Sequence, residues 1–90
     1  MYLAKVTGTV VSTTKHSSLN GMKLLIVSRL DDQLMQTNRT QVAVDTVGAG
    51  NGEIVIVATG SSARMTNSKE HSVIDAAIVG IVDDMERGEG

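Results

Sequence analysis

Three stretches of this chain, Leu24 to Val27, Ile54 to Ala58 and Ala76 to Val82, are apolar at consecutive positions, where a half-buried strand would be apolar at alternate ones. Each is rich in Val and Ile and far shorter than the ~20 apolar residues of a membrane-spanning helix, so each reads as a β-strand. A strand in a small antiparallel sheet normally has one wet face and alternates cleanly. These do not, so both of their faces must be dry. Ninety residues form one domain with a single core, burying only about 60–65% of the surface of the unfolded chain. The second dry surface has to come from a neighbouring subunit, and an obligate homo-oligomer is expected.

Composition supports an all-β chain. Apolar residues make up 41% of it, yet Tyr2 is the one aromatic and Phe, Trp, Pro and Cys are absent. The core must therefore be aliphatic, and without proline every amide is free to join a ladder. No disulfide or thiolate metal site can supply stability. Eight Lys and Arg against ten Asp and Glu, spread along the chain, give a net charge of −2. That balance offers no footprint for nucleic acid or an anionic membrane. Met1 to Val11 holds one lysine and alternates, which is unlike the apolar core of a signal peptide, so a cytoplasmic protein is expected.

Read in order, Ala4, Val6, Gly8 and Val10 alternate with Lys5, Thr7 and Thr9, the period of a half-buried strand. Thr13 to Ser18 is polar and loop-like, and Asn20-Gly21 is a tight-turn dipeptide leading into a second strand near Met22. Asp31 to Thr40 reads as a longer, variable loop around Leu34 and Met35. Gln41 to Asp45 alternates again as a third strand, Ile54 to Ala58 is the fourth and Ala76 to Val82 the fifth. Gly60-Ser61-Ser62-Ala63-Arg64 has a serine placed to cap a short helix, Thr66 to Ser72 is loop-like, and residues 84–90 form a charged, flexible tail. Five strands and one short helix in this order predict a small OB-like β-barrel spanning the whole chain as one domain.

Between the third and fourth strands lies Asp45-Thr46-Val47-Gly48-Ala49-Gly50-Asn51-Gly52-Glu53. Its spaced glycines invite a phosphate-binding reading, which fails. A dinucleotide loop needs a glycine where Glu53 stands and must open a helix, whereas a β-branched run follows. A P-loop needs a Gly-Lys-Ser/Thr ending, and no lysine lies between Lys23 and Lys69. A terminal carboxylate would also repel phosphate.

No residue set assembles into a catalytic or metal site. His16 and His71 stand apart in polar stretches and read as solvated loop residues. Asp45, Glu53, Asp75 and Asp83 sit near strand ends, where carboxylates commonly accept backbone amides. Ser61 and Ser62 lack the second glycine of a nucleophile elbow, because Arg64 stands there, and no histidine relay is apparent. Arg64 is a candidate partner for Glu53, within the chain or across a subunit boundary. No catalysis, cofactor or metal is expected.

Taken together, these residues resemble the EutN/CcmL family, the pentameric vertex proteins of bacterial microcompartment shells. The resemblance is carried by Leu3-Ala4-Lys5-Val6-Thr7-Gly8, by Gly21-Met22-Lys23-Leu24-Leu25-Ile26-Val27 and by Val42-Ala43-Val44 running into the glycine loop. Gly60-Ser61-Ser62-Ala63-Arg64 and Ile74-Asp75-Ala76-Ala77-Ile78-Val79-Gly80-Ile81-Val82-Asp83 complete it. It implies an OB-like barrel assembling into a disc, usually a pentamer although six-fold discs occur, that closes the vertices of a polyhedral shell in the bacterial cytoplasm beside hexagonal facet proteins. The motif wording is more similar to metabolic microcompartments handling alcohols and aldehydes than to carboxysomes. The chain departs from many relatives in having Ile54 where an aromatic often follows the glutamate, and in its short tail.

On this reading Gly48, Ala49, Gly50, Asn51, Gly52, Glu53, Ser61, Ser62 and Arg64 are the candidate subunit-interface residues. The rival reading is a free-standing OB-like module binding a ligand or nucleic acid. Single-strand binding by such barrels relies on aromatic platforms in a positive groove. One tyrosine and a negative net charge argue against it.

Overall fold

A computed structural model describes residues 1–11, 17–19, 21–60 and 75–84. Five strands, β1 (Tyr2–Val10), β2 (Lys23–Leu30), β3 (Gln36–Asp45), β4 (Ile54–Thr59) and β5 (Ala76–Ile81), close a barrel in the order β1-β2-β3-β5-β4. Neighbours are antiparallel except β3 and β5, which run parallel with Val44 opposite Ala77 and Asp45 opposite Ile78. A 3-10 turn, Ser17–Leu19, lies between β1 and β2.

Alternation along each strand sends one set of side chains inward. Ala4 and Val6 of β1, Leu25 and Val27 of β2, Ala43 of β3, Val55 and Val57 of β4, and Ala76 and Ile78 of β5 make one buried cluster. Small aliphatic side chains suit so narrow a barrel, which explains how a core forms without Phe or Trp. The consecutive apolar residues point the other way. Outside, Leu24 lies across from Val44, Ile26 from Val42, and Leu3 from Ile56. Val44 and Ala77 form a second, outer cluster with Leu19, Met22, Leu24 and Val79 packed against it. Val42 remains 49% exposed. The doubly apolar strands thus serve the core with one face and an outer apolar surface with the other.

One element departs from expectation. The segment from Asp31 to Thr40 is not a long loop, because β3 already begins at Gln36 and only residues 31–35 connect it to β2. The connection is tightened by Asp31, whose carboxylate Oδ1 accepts the amides of Gln33 and Met35 at 2.9 Å each, and by Leu34 in the left-handed region at φ 63°. The first half of β3 is polar because four of its first five residues are exposed, so it carries no apolar alternation to announce a strand. Its pairing is held by the ladder and by side chains: Ser28 Oγ donates to Thr37 O (2.5 Å) and Thr37 Oγ1 to Arg29 O (2.6 Å). These bonds sit where the register shifts between Ser28 and Leu30, a bulge that leaves backbone carbonyls for side chains to satisfy.

The Asn20-Gly21 turn is described only at Gly21, at φ 78°. The polar stretch from Thr13 is described only from Ser17, and the helix start after Gly60, the Thr66 to Ser72 stretch, His16, His71 and tail residues 85–90 lie outside the described residues.

Candidate functional site: the glycine loop

Strand β3 stops at Asp45 because its side chain captures the chain that follows. Asp45 Oδ1 accepts the amides of Val47 and Gly48, both at 3.0 Å, in an Asx-type turn. Thr46 is tied to β5, its amide and hydroxyl both donating to Ile78 O at 3.3 and 2.6 Å. Gly48, at φ 81°, then turns the backbone inward. Ala49 follows, fully buried and part of the barrel core. Its methyl group closes this end of the barrel, and Lys23 Nζ donates to its carbonyl at 3.1 Å.

The return is fastened to β1. Gly52, at φ 88°, donates its amide to Val6 O (2.8 Å), and Val6 donates back to Glu53 O (2.9 Å). The Asn51 side chain, oriented so that both its polar atoms are satisfied, donates to the carbonyls of Val6 (3.1 Å) and Thr7 (3.3 Å). Glu53 folds back on the loop: its Oε1 accepts the Gly50 amide at 2.6 Å, while its own amide donates to Gly50 O at 3.2 Å. A side chain at Gly50 would place its Cβ 3.2 Å from that carboxylate oxygen.

This geometry supplies the physical reason that the loop is no phosphate cradle. The amide best placed for an anion is already occupied by the chain's own carboxylate, a charge-assisted bond of the stronger kind. Asp45 and Glu53 both accept backbone amides, as strand-end carboxylates do, and Asp75 and Asp83 are exposed. Of the candidate interface residues, Gly48 to Glu53 are brought together in one braced loop. Ser61, Ser62 and Arg64 lie outside the described residues. The described residues on either side of them meet, the Gly60 amide donating to Asp75 O (3.0 Å).

The far end of the same strands holds a feature that sequence reasoning missed. Tyr2, Arg29, Arg39, Thr40 and Gln41 line an open cavity of about 220 Å³. The Tyr2 hydroxyl donates to Gln41 Oε1, and the Arg29 guanidinium lies over the Tyr2 ring, 4.6 Å from its centroid. Burial raises the Tyr2 pKa above its ordinary 10.0, with Arg29 pulling in the opposite direction. Arg39 and Gln41 stand at strand spacing in the sequence, but the polar residues from Gln36 to Thr40 carry no apolar alternation to mark a strand.

Comparison with known proteins agrees with this geometry. Residues 1–83 match the family model described as ethanolamine utilisation protein EutN/carboxysome. The chain is 67% identical over 86 residues to the bacterial microcompartment shell vertex protein GrpN of Rhodospirillum rubrum, covering 96% of this chain and 97% of that protein. It is 54% identical to the shell vertex protein PduN of Salmonella typhimurium, covering 92% and 96%. The carboxysome shell vertex protein CcmL of Synechocystis is 48% identical, with 100% and 90% covered. Among solved structures, the pentameric GrpN shell protein of Rhodospirillum rubrum superposes with a TM-score of 0.89 at 65% identity, over 98% of this chain and 100% of that one. Barrel, glycine loop and relatives lead to one assignment: the chain belongs to the EutN/CcmL family of microcompartment shell vertex proteins.

Proposed function

We propose that this chain is a structural shell protein that joins four copies of itself in a cyclic pentamer and caps the vertices of a bacterial microcompartment. The observation that carries the reading is the outer apolar surface, in which Val42 and Val47 are 49% and 41% exposed and Leu24, Ile26, Ile54 and Ile56 remain half-buried. A ring closed by repeated head-to-tail contacts covers such surface on every copy at once. The similarity to GrpN, itself described as a pentameric shell protein, and to PduN favours five subunits and a metabolic microcompartment over a carboxysome.

In this role the chain binds no cofactor and catalyses nothing. Hexagonal facet proteins are its partners, and the shell in the bacterial cytoplasm is its location. The loop from Gly48 to Glu53, with Ser61, Ser62 and Arg64, forms part of the contact between subunits. Electron microscopy of the purified protein is expected to show discs of five subunits that seal shells when mixed with facet proteins. Sedimentation as a monomer at micromolar concentration would refute the reading. Gly50→Val is expected to displace the Glu53 carboxylate and abolish discs while the barrel's circular dichroism persists; normal discs from this variant would remove the loop from the interface.

A further inference from the structure

The cavity at the open end of the barrel is rich in donors and poor in negative charge. Arg29 and Arg39 both line it, and among the described residues neither makes an ion pair. Arg29 is held in place by the Tyr2 ring 4.6 Å away. Because the Tyr2 hydroxyl donates to Gln41 Oε1, the amide nitrogen is the Gln41 atom left to donate. Two arginines and a glutamine whose amide nitrogen is left to donate, with Tyr2 and Thr40, therefore line a space of about 220 Å³. The chain as a whole carries a charge of −2, so this local excess of positive charge is not a by-product of a basic protein.

Guanidinium groups meet acceptor-only oxygens in parallel pairs of N–H···O bonds, and two of them side by side repel until an anion lies between. The mouth of a β-barrel is a common place for a small ligand. We propose that this mouth is a carboxylate-binding site, in which Arg39 and Arg29 grip the carboxylate oxygens and Gln41, fixed by Tyr2, donates the remaining bond. The carboxylate belongs to a small free acid or to an acidic side chain of an adjoining protein. The proposal does not rest on the number of subunits in the ring.

Tyr2 is the one aromatic residue of the chain, so its emission reports on this site alone. The intact, assembled protein is titrated with sodium acetate, with sodium phosphate, and with blocked alanine peptides bearing a central glutamate or glutamine, all at matched ionic strength with chloride as reference. Saturable change with acetate and with the glutamate peptide supports a site open to free acids; change with the glutamate peptide alone supports a protein side chain as the occupant. In either case Arg39→Gln is expected to raise the half-saturating concentration at least about tenfold, as loss of a charged hydrogen bond requires, with disc assembly unaltered by native mass spectrometry. Arg29→Gln provides a second variant with the same expectation. No saturation by any carboxylate, saturation by phosphate but not by acetate, or equal response from the glutamine peptide would each overturn the proposal.

Discussion

Gly52 shows at the scale of one residue why the loop has the composition it does. Its φ of 88° places it where an L side chain is strained, and its amide must reach Val6 O. Gly52→Ala is therefore expected to cost about 1–2 kcal/mol, read as a lower midpoint in urea unfolding. Tyr2 gives a second residue-scale prediction. Its raised pKa means that the folded chain keeps the phenolic proton longer than the unfolded chain does. The associated stability is whole below pH 10 and is lost as pH rises from 10.0 through the folded value. Absorbance near the phenolate band is expected to give a midpoint above 10.0 for the folded protein, and Arg29→Gln to move it higher still, because Arg29 lowers the value. A midpoint that falls in the variant would contradict the contact.

Among the elements, β3 carries the most instruction. Its second half alternates around Ala43 in the core and is plain in the sequence, whereas its first half is polar on both faces and reads as loop. A solvated strand has no burial pattern to reveal it, and its existence depends on bonds to β2, a neighbour that sequence alone does not specify. Ser28 is the clearest of these supports: it is fully buried, and its hydroxyl satisfies Thr37 O. Ser28→Ala is expected to cost about 1–3 kcal/mol and to speed amide exchange first in residues 36–40, measured by hydrogen exchange. Uniform acceleration across the barrel would show that the bond is not specific to this half of the strand. The glycine loop, by contrast, was recognisable from its residues. What could not be read was that Ala49 plugs the barrel and that Glu53 fills the Gly50 amide, since both depend on where the loop lands.

For the whole molecule, the governing fact is that a domain this small has more apolar surface than its interior holds. The barrel cluster takes Val27, Val55, Val57 and Ile78, and the same strands put Ile26, Ile54, Ile56 and Val79 on the outside, only half-buried in the single chain. Val47, on the glycine loop and 41% exposed, tests whether this surface is used. Val47→Lys is expected to leave the barrel folded and to shift the sedimenting species towards smaller sizes by at least a tenfold weaker association, about 1.4 kcal/mol; unchanged discs would exclude Val47 from the contact. In the proposed ring, association adds to stability by mass action, so unfolding midpoints are expected to rise with protein concentration.

By itself, the sequence determined the strand-forming segments, the aliphatic core, the excess of apolar residues on the same strands and the loop by which the family is recognised. The first three follow from local composition and periodicity, which need no knowledge of neighbours, and the loop is recognised by its resemblance to that of the family. The tertiary structure alone decided the extent of β3, the closure of one barrel end by Ala49 and the meeting of Tyr2, Arg29, Arg39 and Gln41 at the other. These depend on register and on which strands lie side by side, and contacts between residues far apart in the chain leave no periodic mark along it.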